Sequence, residues 1–155
     1  HQSLKAFIKA GEKAVTGTVG ILIQFPLYFG IMGVVRETGI ISDFAWYYQN
    51  ISNEFSYPIL TFFSAGVVNF LVPSGGGQWY IQGPLIIQST IDMGISLEKS
   101  IMAMAYGDQL TNMMQPFWAL PLLGITGLKA KDIIPFTLIL MLVGLLVFSF
   151  ALIIF

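Results

Sequence analysis

Three long stretches without a charged residue constrain the fold of this chain more than any other feature. They cover residues 14–35, 57–91 and 133–155, and the 155 residues include only seven basic and eight acidic side chains. A helix of about 20 apolar residues crosses the ~30 Å hydrocarbon core of a bilayer and pairs its own backbone polar groups. The sequence therefore predicts an integral membrane protein of the all-α class, surrounded by the lipid bilayer.

The composition also excludes several classes of function. The net charge is −1 and no basic stripe is present, so a nucleic-acid partner has no electrostatic basis. Cysteine is absent and the single histidine is residue 1, which excludes disulfides, Cys/His zinc sites and catalytic triads with an internal histidine. A membrane-embedded hydrolase would need Ser74 as nucleophile and Asp108 or a lysine as base, yet no lysine lies at membrane depth. We expect a protein that is not an enzyme.

The lengths of the apolar stretches predict the first and last membrane elements directly. Residues 14–35 are long enough for one crossing, in which Pro26 is expected to introduce a kink. Residues 36–55 carry aromatic side chains at helical spacing, which favours an amphipathic helix in the plane of the interface; an ordinary exterior loop is the alternative. Residues 133–155 form a final span.

The lysines predict how the chain is oriented in the membrane. Lys5, Lys9 and Lys13 precede the first span, and Lys129 and Lys131 precede the last. Basic residues close to membrane spans are found mainly on the cytoplasmic side. We therefore expect the N-terminus on the cytoplasmic side of the inner (cytoplasmic) cell membrane and the C-terminus outside.

Residues 57–92 fit neither one membrane crossing nor two. As one continuous helix, residues 57–91 would be about 52 Å long, which is too long for one span and too short for two spans with a turn. Residues 73–78 in the middle, PSGGGQ, are not expected to stay helical. The pattern predicts a re-entrant helical hairpin whose tip is buried in protein or lines an aqueous cavity. Its three glycines would let the backbone approach a ligand closely or adopt positive φ.

Residues 97–128 predict a transmembrane helix that is broken near its centre. Asp108 is the one charge within residues 100–128, and Gly107 and Pro116 are expected to bracket an unwound segment. A carboxylate at membrane depth must be paired, bound to a cation or protonated. We interpret Asp108 as a coupling site for Na⁺ or H⁺. The alternatives are a structural aspartate that caps the second half-helix, or one that faces a water-filled cleft.

Two polar breaks at membrane depth are typical of the binding sites of secondary transporters. Backbone N–H groups at the N-terminus of a half-helix favour an anion such as a carboxylate, and carbonyl oxygens at a C-terminal end favour Na⁺ or a protonated group. Asp108 and Asn112 are the candidates for holding Na⁺, although Thr111 and Asn112 could equally serve as polar contacts between helices. No cofactor other than a coupling ion, Na⁺ or H⁺, is expected.

Two blocks of sequence resemble a known family. NFLVPSGGGQWYIQGP at 69–84 and AYGDQLTNMMQPFWALPLLGITGL at 105–128 are similar to the short-chain fatty acid transporter family, part of the ion transporter superfamily of elevator-type carriers. Family members are built from two inverted repeats. The chain corresponds to their last third, the closing part of the second repeat, so we expect it to belong to a longer transporter.

The resemblance implies a function and a site. It implies symport of short-chain monocarboxylates such as acetoacetate or butyrate by a homodimer, with the first repeat as a further structural partner. It also implies that the hairpin tip and the unwound helix form two halves of one site, with these residues: Ser74, Gly75, Gly76, Gly77, Gln78, Asp108, Gln109, Thr111, Asn112 and Gln115. Because the first repeat is absent from this chain, the alternative is a non-transporting membrane assembly subunit or a truncated product.

Overall fold

Helices are the only regular secondary structure in the described part of the chain. The computed structural model describes residues 3–155, without the side chains of residues 21, 36, 41, 42, 44, 45 and 49, and contains no strand within that range. The helices are α1 (Leu4–Thr16), α2 (Val19–Glu37), α3 (Ile40–Ile51), α4 (Tyr57–Leu71), α5 (Gly75–Met93), α6 (Leu97–Asn112), a 3₁₀ turn (Pro116–Ala119), α7 (Leu120–Thr126) and α8 (Ala130–Ile154). The predicted all-α class is confirmed for these residues.

Among the described residues, α8 alone is long and apolar enough to cross a membrane. It has 25 residues, which corresponds to a length of about 37 Å. Most of its side chains are exposed, and only Gly144 and Leu152 are buried. A helix that is apolar on all sides after its first turn and hides so little of its surface within the protein is suited to a lipid environment. The helix contains nearly all of the final span that the sequence predicts at 133–155.

The first apolar stretch is divided between two helices. The chain leaves helical geometry between Thr16 and Val19, and α2 then continues through Pro26 to Glu37. Glycine at position 17 is a weak helix former, and it ends α1 inside the range 14–35 that was predicted as one span. The following helix, α3, lies within the predicted interfacial segment.

The break between α4 and α5 is shorter than the sequence predicted. Only residues 72–74 are non-helical, and Gly75 to Gln78 form the first turn of α5, so the expectation of a non-helical segment through 78 is wrong. The reason is the cap: the hydroxyl of Ser74 accepts a hydrogen bond from the N–H of Gly77 at 3.3 Å. None of the three glycines has positive φ.

The break after α6 also lies further along the chain than predicted. Helix α6 continues through Gly107 to Asn112, and the chain unwinds only at residues 113–115, ahead of the 3₁₀ turn that begins at Pro116. Asp108, Gln109, Thr111 and Asn112 are therefore helical, which corrects their assignment to an unwound segment; of that group, Gln115 alone lies in the break.

Gly107 serves helix packing and does not break the helix. A Cβ atom at this position would overlap the carbonyl oxygen of Phe62 and would lie 2.8 Å from the Cβ of Ala65. Because glycine has no side chain, α6 can approach α4 at van der Waals distance, the arrangement that small residues permit in membrane helix pairs. The core of the molecule lies at this contact, where Phe62 and Ala103 are fully buried. The packing of α6 against α4 places the end of α6 beside the start of α5.

Candidate functional site

The start of α5 presents an uncovered helix N-terminus. The first turn of the helix is Gly75, Gly76, Gly77 and Gln78, and it contains no acidic residue. Ser74 satisfies one of the free N–H groups, that of Gly77. The first N–H groups of any helix lack intrahelical partners and carry partial positive charge. Gly75 and Gly76 are exposed and have no side chain to screen this charge.

Asp108 is the carboxylate that faces this helix start. A Cβ atom at Gly75 would lie 3.9 Å from its Oδ2 and 4.0 Å from its Oδ1. Oδ2 accepts a hydrogen bond from Nδ2 of Asn112 at 3.0 Å. Oδ1 is buried and has no hydrogen-bond partner among the described residues. The two polar segments that are distant in sequence thus meet at Asp108 and Gly75.

Asn69 holds the end of α6 in this position. It is fully buried on α4, and its Nδ2 lies 3.0 Å from the backbone oxygen of Asp108, 2.9 Å from Oγ1 of Thr111 and 2.7 Å from Oδ1 of Asn112. Nε2 of Gln115 donates to the backbone oxygen of Asn69 at 3.2 Å. Thr111 and Asn112 are therefore brought together through the side chain of Asn69, and Gln115 joins them through the backbone of the same residue.

Asn69 is not among the site residues predicted from the sequence. The signal that could have identified it is the one amide side chain in α4, a mainly apolar helix, one turn before the break at residue 72. Such a group is costly to bury unless it is hydrogen-bonded. Its three contacts satisfy its nitrogen, whereas its Oδ1 has no partner among the described residues.

Gln78 has a different position from the one that the sequence suggested. It is fully buried between α4 and α5, where its Nε2 donates to the backbone oxygen of Ala65 at 2.8 Å and to Oε1 of Gln82 at 2.7 Å. Gln82 in turn donates to Oγ of Ser64 at 3.3 Å. These contacts connect α4 and α5 along their length. Gln109 lies on the exposed side of α6.

Three buried side-chain oxygens on α4, α5 and α6 lack a hydrogen-bond partner among the described residues. Oδ1 of Asn69, Oε1 of Gln78 and Oδ1 of Asp108 are buried side-chain oxygens that accept no hydrogen bond from any described residue. Carboxylate and amide oxygens are suited to hard cations and to protons. Within residues 3–155, no cluster of three histidine, cysteine, aspartate or glutamate residues could hold a metal ion. The available donor set therefore contains one carboxylate and neutral amides.

Comparison with known proteins places the whole chain in one family. Residues 1–155 match the family described as "Short chain fatty acid transporter". A protein of Haemophilus influenzae is 48% identical over 136 residues, which cover 88% of this chain and 30% of that protein. A protein of Escherichia coli K12 is 46% identical over 133 residues, which cover 86% of this chain and 30% of that protein. Both are named "Putative short-chain fatty acid transporter".

The chain therefore spans about 30% of the length of these curated relatives. No solved structure matches it. The matched family is described as one of transporters, which are membrane proteins; this agrees with the predicted membrane protein and does not favour the hydrolase alternative with Ser74 as nucleophile. The resemblance that the two sequence blocks indicated is confirmed across the full chain, and the chain belongs to the short-chain fatty acid transporter family.

Proposed function

We propose that this chain forms one half of the substrate and ion site of a secondary carrier that moves short-chain fatty acids such as acetoacetate or butyrate. The observation that carries the proposal is the position of Asp108 beside the uncovered N-terminus of α5. Family membership supports the class of cargo, and the geometry supports how a carboxylate would be held.

The start of α5 is the proposed place of the substrate carboxylate. Its free N–H groups and partial positive charge favour an anion, and the bare backbone of Gly75 and Gly76 allows close approach. The hydroxyl of Ser74 would add a donor at the same edge. Because the site is open on this side, we propose that the first repeat of the longer carrier completes it.

Asp108 provides a reason for the carrier to require a coupling ion. An ionised Asp108 and a substrate carboxylate would compete for the same helix end and repel each other, and two carboxylates at one site do not both stay ionised without compensation. Na⁺ or H⁺ bound at Asp108 would remove this repulsion. The partnerless oxygens of Asp108 and Asn69 support a cation position, with Asn112 beside it. Binding of ion and substrate would then be mutually favourable.

The chain would sit in the inner cell membrane with its N-terminus cytoplasmic and its C-terminus outside, with α4 and α5 as a re-entrant hairpin. The full carrier would work as a homodimer of elevator type. Neither nucleic acid nor a cofactor other than the coupling ion enters this mechanism.

The decisive experiment measures butyrate uptake in proteoliposomes that contain a carrier of the relatives' length that includes this chain. Na⁺ and pH gradients are imposed separately, and we expect one of them to drive accumulation. Asp108→Asn is expected to abolish gradient-driven accumulation, because a neutral amide removes the requirement for the ion. Exchange of labelled for unlabelled butyrate, which needs no gradient, should persist in this variant.

Asp92→Asn is the matched control. Asp92 is an exposed carboxylate on α5 that accepts a hydrogen bond from Gln88 at 2.8 Å, far along the helix from the tip. Its variant should accumulate butyrate like wild type. Accumulation by Asp108→Asn at the wild-type level would contradict the assigned role of Asp108. Wild-type uptake that depends on neither gradient would contradict a secondary carrier.

A further inference from the structure

A small aromatic cavity lies directly beside Ser74. Its volume is about 80 Å³, and Pro73 and Ser74 form one side of it. The other walls come from α2 and from the 3₁₀ turn, with these side chains: Phe25, Tyr28, Phe29, Met32, Phe117 and Trp118. The lining is therefore mostly apolar, and Ser74 connects it to the start of α5.

Ring packing holds the walls of this cavity in place. The ring centroid of Phe117 lies 4.8 Å from that of Phe25 and 4.7 Å from that of Tyr28. Nε1 of Trp118 donates to Oδ1 of Asn112 at 3.0 Å, which links the cavity wall to the partner of Asp108. The cavity is thus joined to the proposed ion site at two points, through Ser74 and through Trp118.

A second, larger cavity of about 440 Å³ lies next to the first. Tyr28 and Phe117 line both cavities and so form the partition between them. Gln24, Phe70 and Gln115 line only the larger one. Removing the ring of Tyr28 would join the two spaces.

We infer that the small cavity receives the alkyl tail of the substrate, and that the partition formed by Tyr28 and Phe117 sets the longest tail that fits. The inference rests on the proposed function, in which the carboxylate binds at the start of α5. A cavity of about 80 Å³ is roughly half of the ~150 Å³ that admits benzene, so it has room for about three carbon atoms. Three carbons beyond the carboxylate correspond to butyrate.

The aromatic lining suits this occupant for a physical reason. A saturated tail has no hydrogen-bonding group, and its transfer from water to an apolar cavity is favourable in proportion to the area buried. A longer acid would either displace the partition or leave its terminal methylenes in water. Selection by chain length therefore follows from a rigid end wall.

The test is a competition assay in the carrier of the relatives' length that includes this chain. Uptake of labelled butyrate is measured against unlabelled acids of two, four, six and eight carbons. In wild type, octanoate should compete at least about tenfold less well than butyrate. In Tyr28→Ala, the ratio of the two inhibition constants should fall by about tenfold, because each additional methylene buried contributes roughly fourfold.

Three further variants are measured in the same assay: two controls, and one variant that narrows the small cavity where Tyr28→Ala enlarges it. Tyr28→Phe keeps the ring and should keep the wild-type profile. Phe70→Ala alters only the larger cavity and should do the same. Phe25→Trp narrows the small cavity and should weaken competition by butyrate relative to acetate by about fourfold.

The outcomes separate this inference from the proposed function. Wild type that transports no short-chain acid would overturn the proposed function itself. Wild type that transports butyrate, with Tyr28→Ala and Phe25→Trp both retaining its chain-length profile, would overturn the tail cavity and leave the proposed function standing. If Tyr28→Ala does not reach the membrane, the profile of Phe25→Trp alone decides.

Discussion

The starts of α5 and α6 carry the same cap in different surroundings. Ser74 and Ser96 both have extended backbone geometry, and each hydroxyl accepts a hydrogen bond from the N–H three residues later, at 3.3 Å and 3.2 Å respectively. In α6 the first turn includes Glu98, whose carboxylate accepts a bond from the hydroxyl of Ser96 at 2.7 Å. In α5 the first turn is three glycines and a glutamine.

The difference lies in the source of the negative charge. The N-terminus of α6 is complemented by an acid on its own first turn, which cannot be separated from it. The N-terminus of α5 is complemented by Asp108, an acid on another helix. A charge supplied from another helix can be neutralised or displaced without unwinding α5. The first turn of α6 carries its own acid. The first turn of α5, where we propose that an exchangeable anion binds, carries none.

Making α5 resemble α6 should have the largest effect. In Gly76→Asp the first turn acquires its own acid, and nothing lies within 4 Å of a Cβ at this position, so the side chain fits. We expect kcat/KM for butyrate to fall by about 100-fold, because like charges brought together cost several kcal/mol. Uptake kinetics in proteoliposomes check this.

Gly76→Asn is the matched control for that variant, since it adds the same volume without charge. It should lower kcat/KM several-fold less than the aspartate does. Equal losses in the two variants would mean that bulk, and not charge, matters at this helix start.

Removing the cap of α5 should have an intermediate effect. Ser74→Ala deletes one accepted hydrogen bond and the proposed donor to the substrate, and each of these is worth about 1 kcal/mol. We expect uptake to fall about 30-fold, with Ser74→Thr retaining most of it. Wild-type kinetics in Ser74→Ala would remove the hydroxyl from the proposed site.

The same change at α6 should have the smallest effect on transport. Ser96→Ala deletes an equivalent cap and is expected to lower the stability of the protein by about 1 kcal/mol. Butyrate kinetics should stay within twofold of wild type. Thermal unfolding in detergent, measured beside uptake, tests both expectations, and a loss of uptake of about 30-fold would show that the two caps are functionally alike.

The parts of the fold that depend on composition were predictable from the sequence. The long stretches without charged residues identified the all-helical membrane class and the last helix, because every residue of a membrane span must be compatible with the lipid around it. The proline at 73 indicated a break near the correct place. The glycines were misinterpreted because their low intrinsic helix propensity was outweighed by a local cap at Ser74.

The parts of the site that depend on tertiary contact were not predictable. From the sequence, Gly107 is predicted to break the helix. Only the closeness of the carbonyl oxygen of Phe62 shows that it is a packing residue. Asn69 was missed because its role depends on groups about 40 positions away. Asp108 was selected from its isolation among apolar residues, but its closeness to Gly75 required the packing of α4 against α6.

The triple contact of Asn69 has a mechanical consequence. The side-chain amide of Asn69 joins α4 to Asp108, Thr111 and Asn112 near the end of α6, and the two helices are in close contact at Gly107. If the proposed carrier alternates the exposure of its site, α4 and α6 would therefore move together as one rigid body. In the proposed carrier, displacement of neighbouring segments relative to this pair would then fall in short non-helical segments such as 72–74 and 113–115.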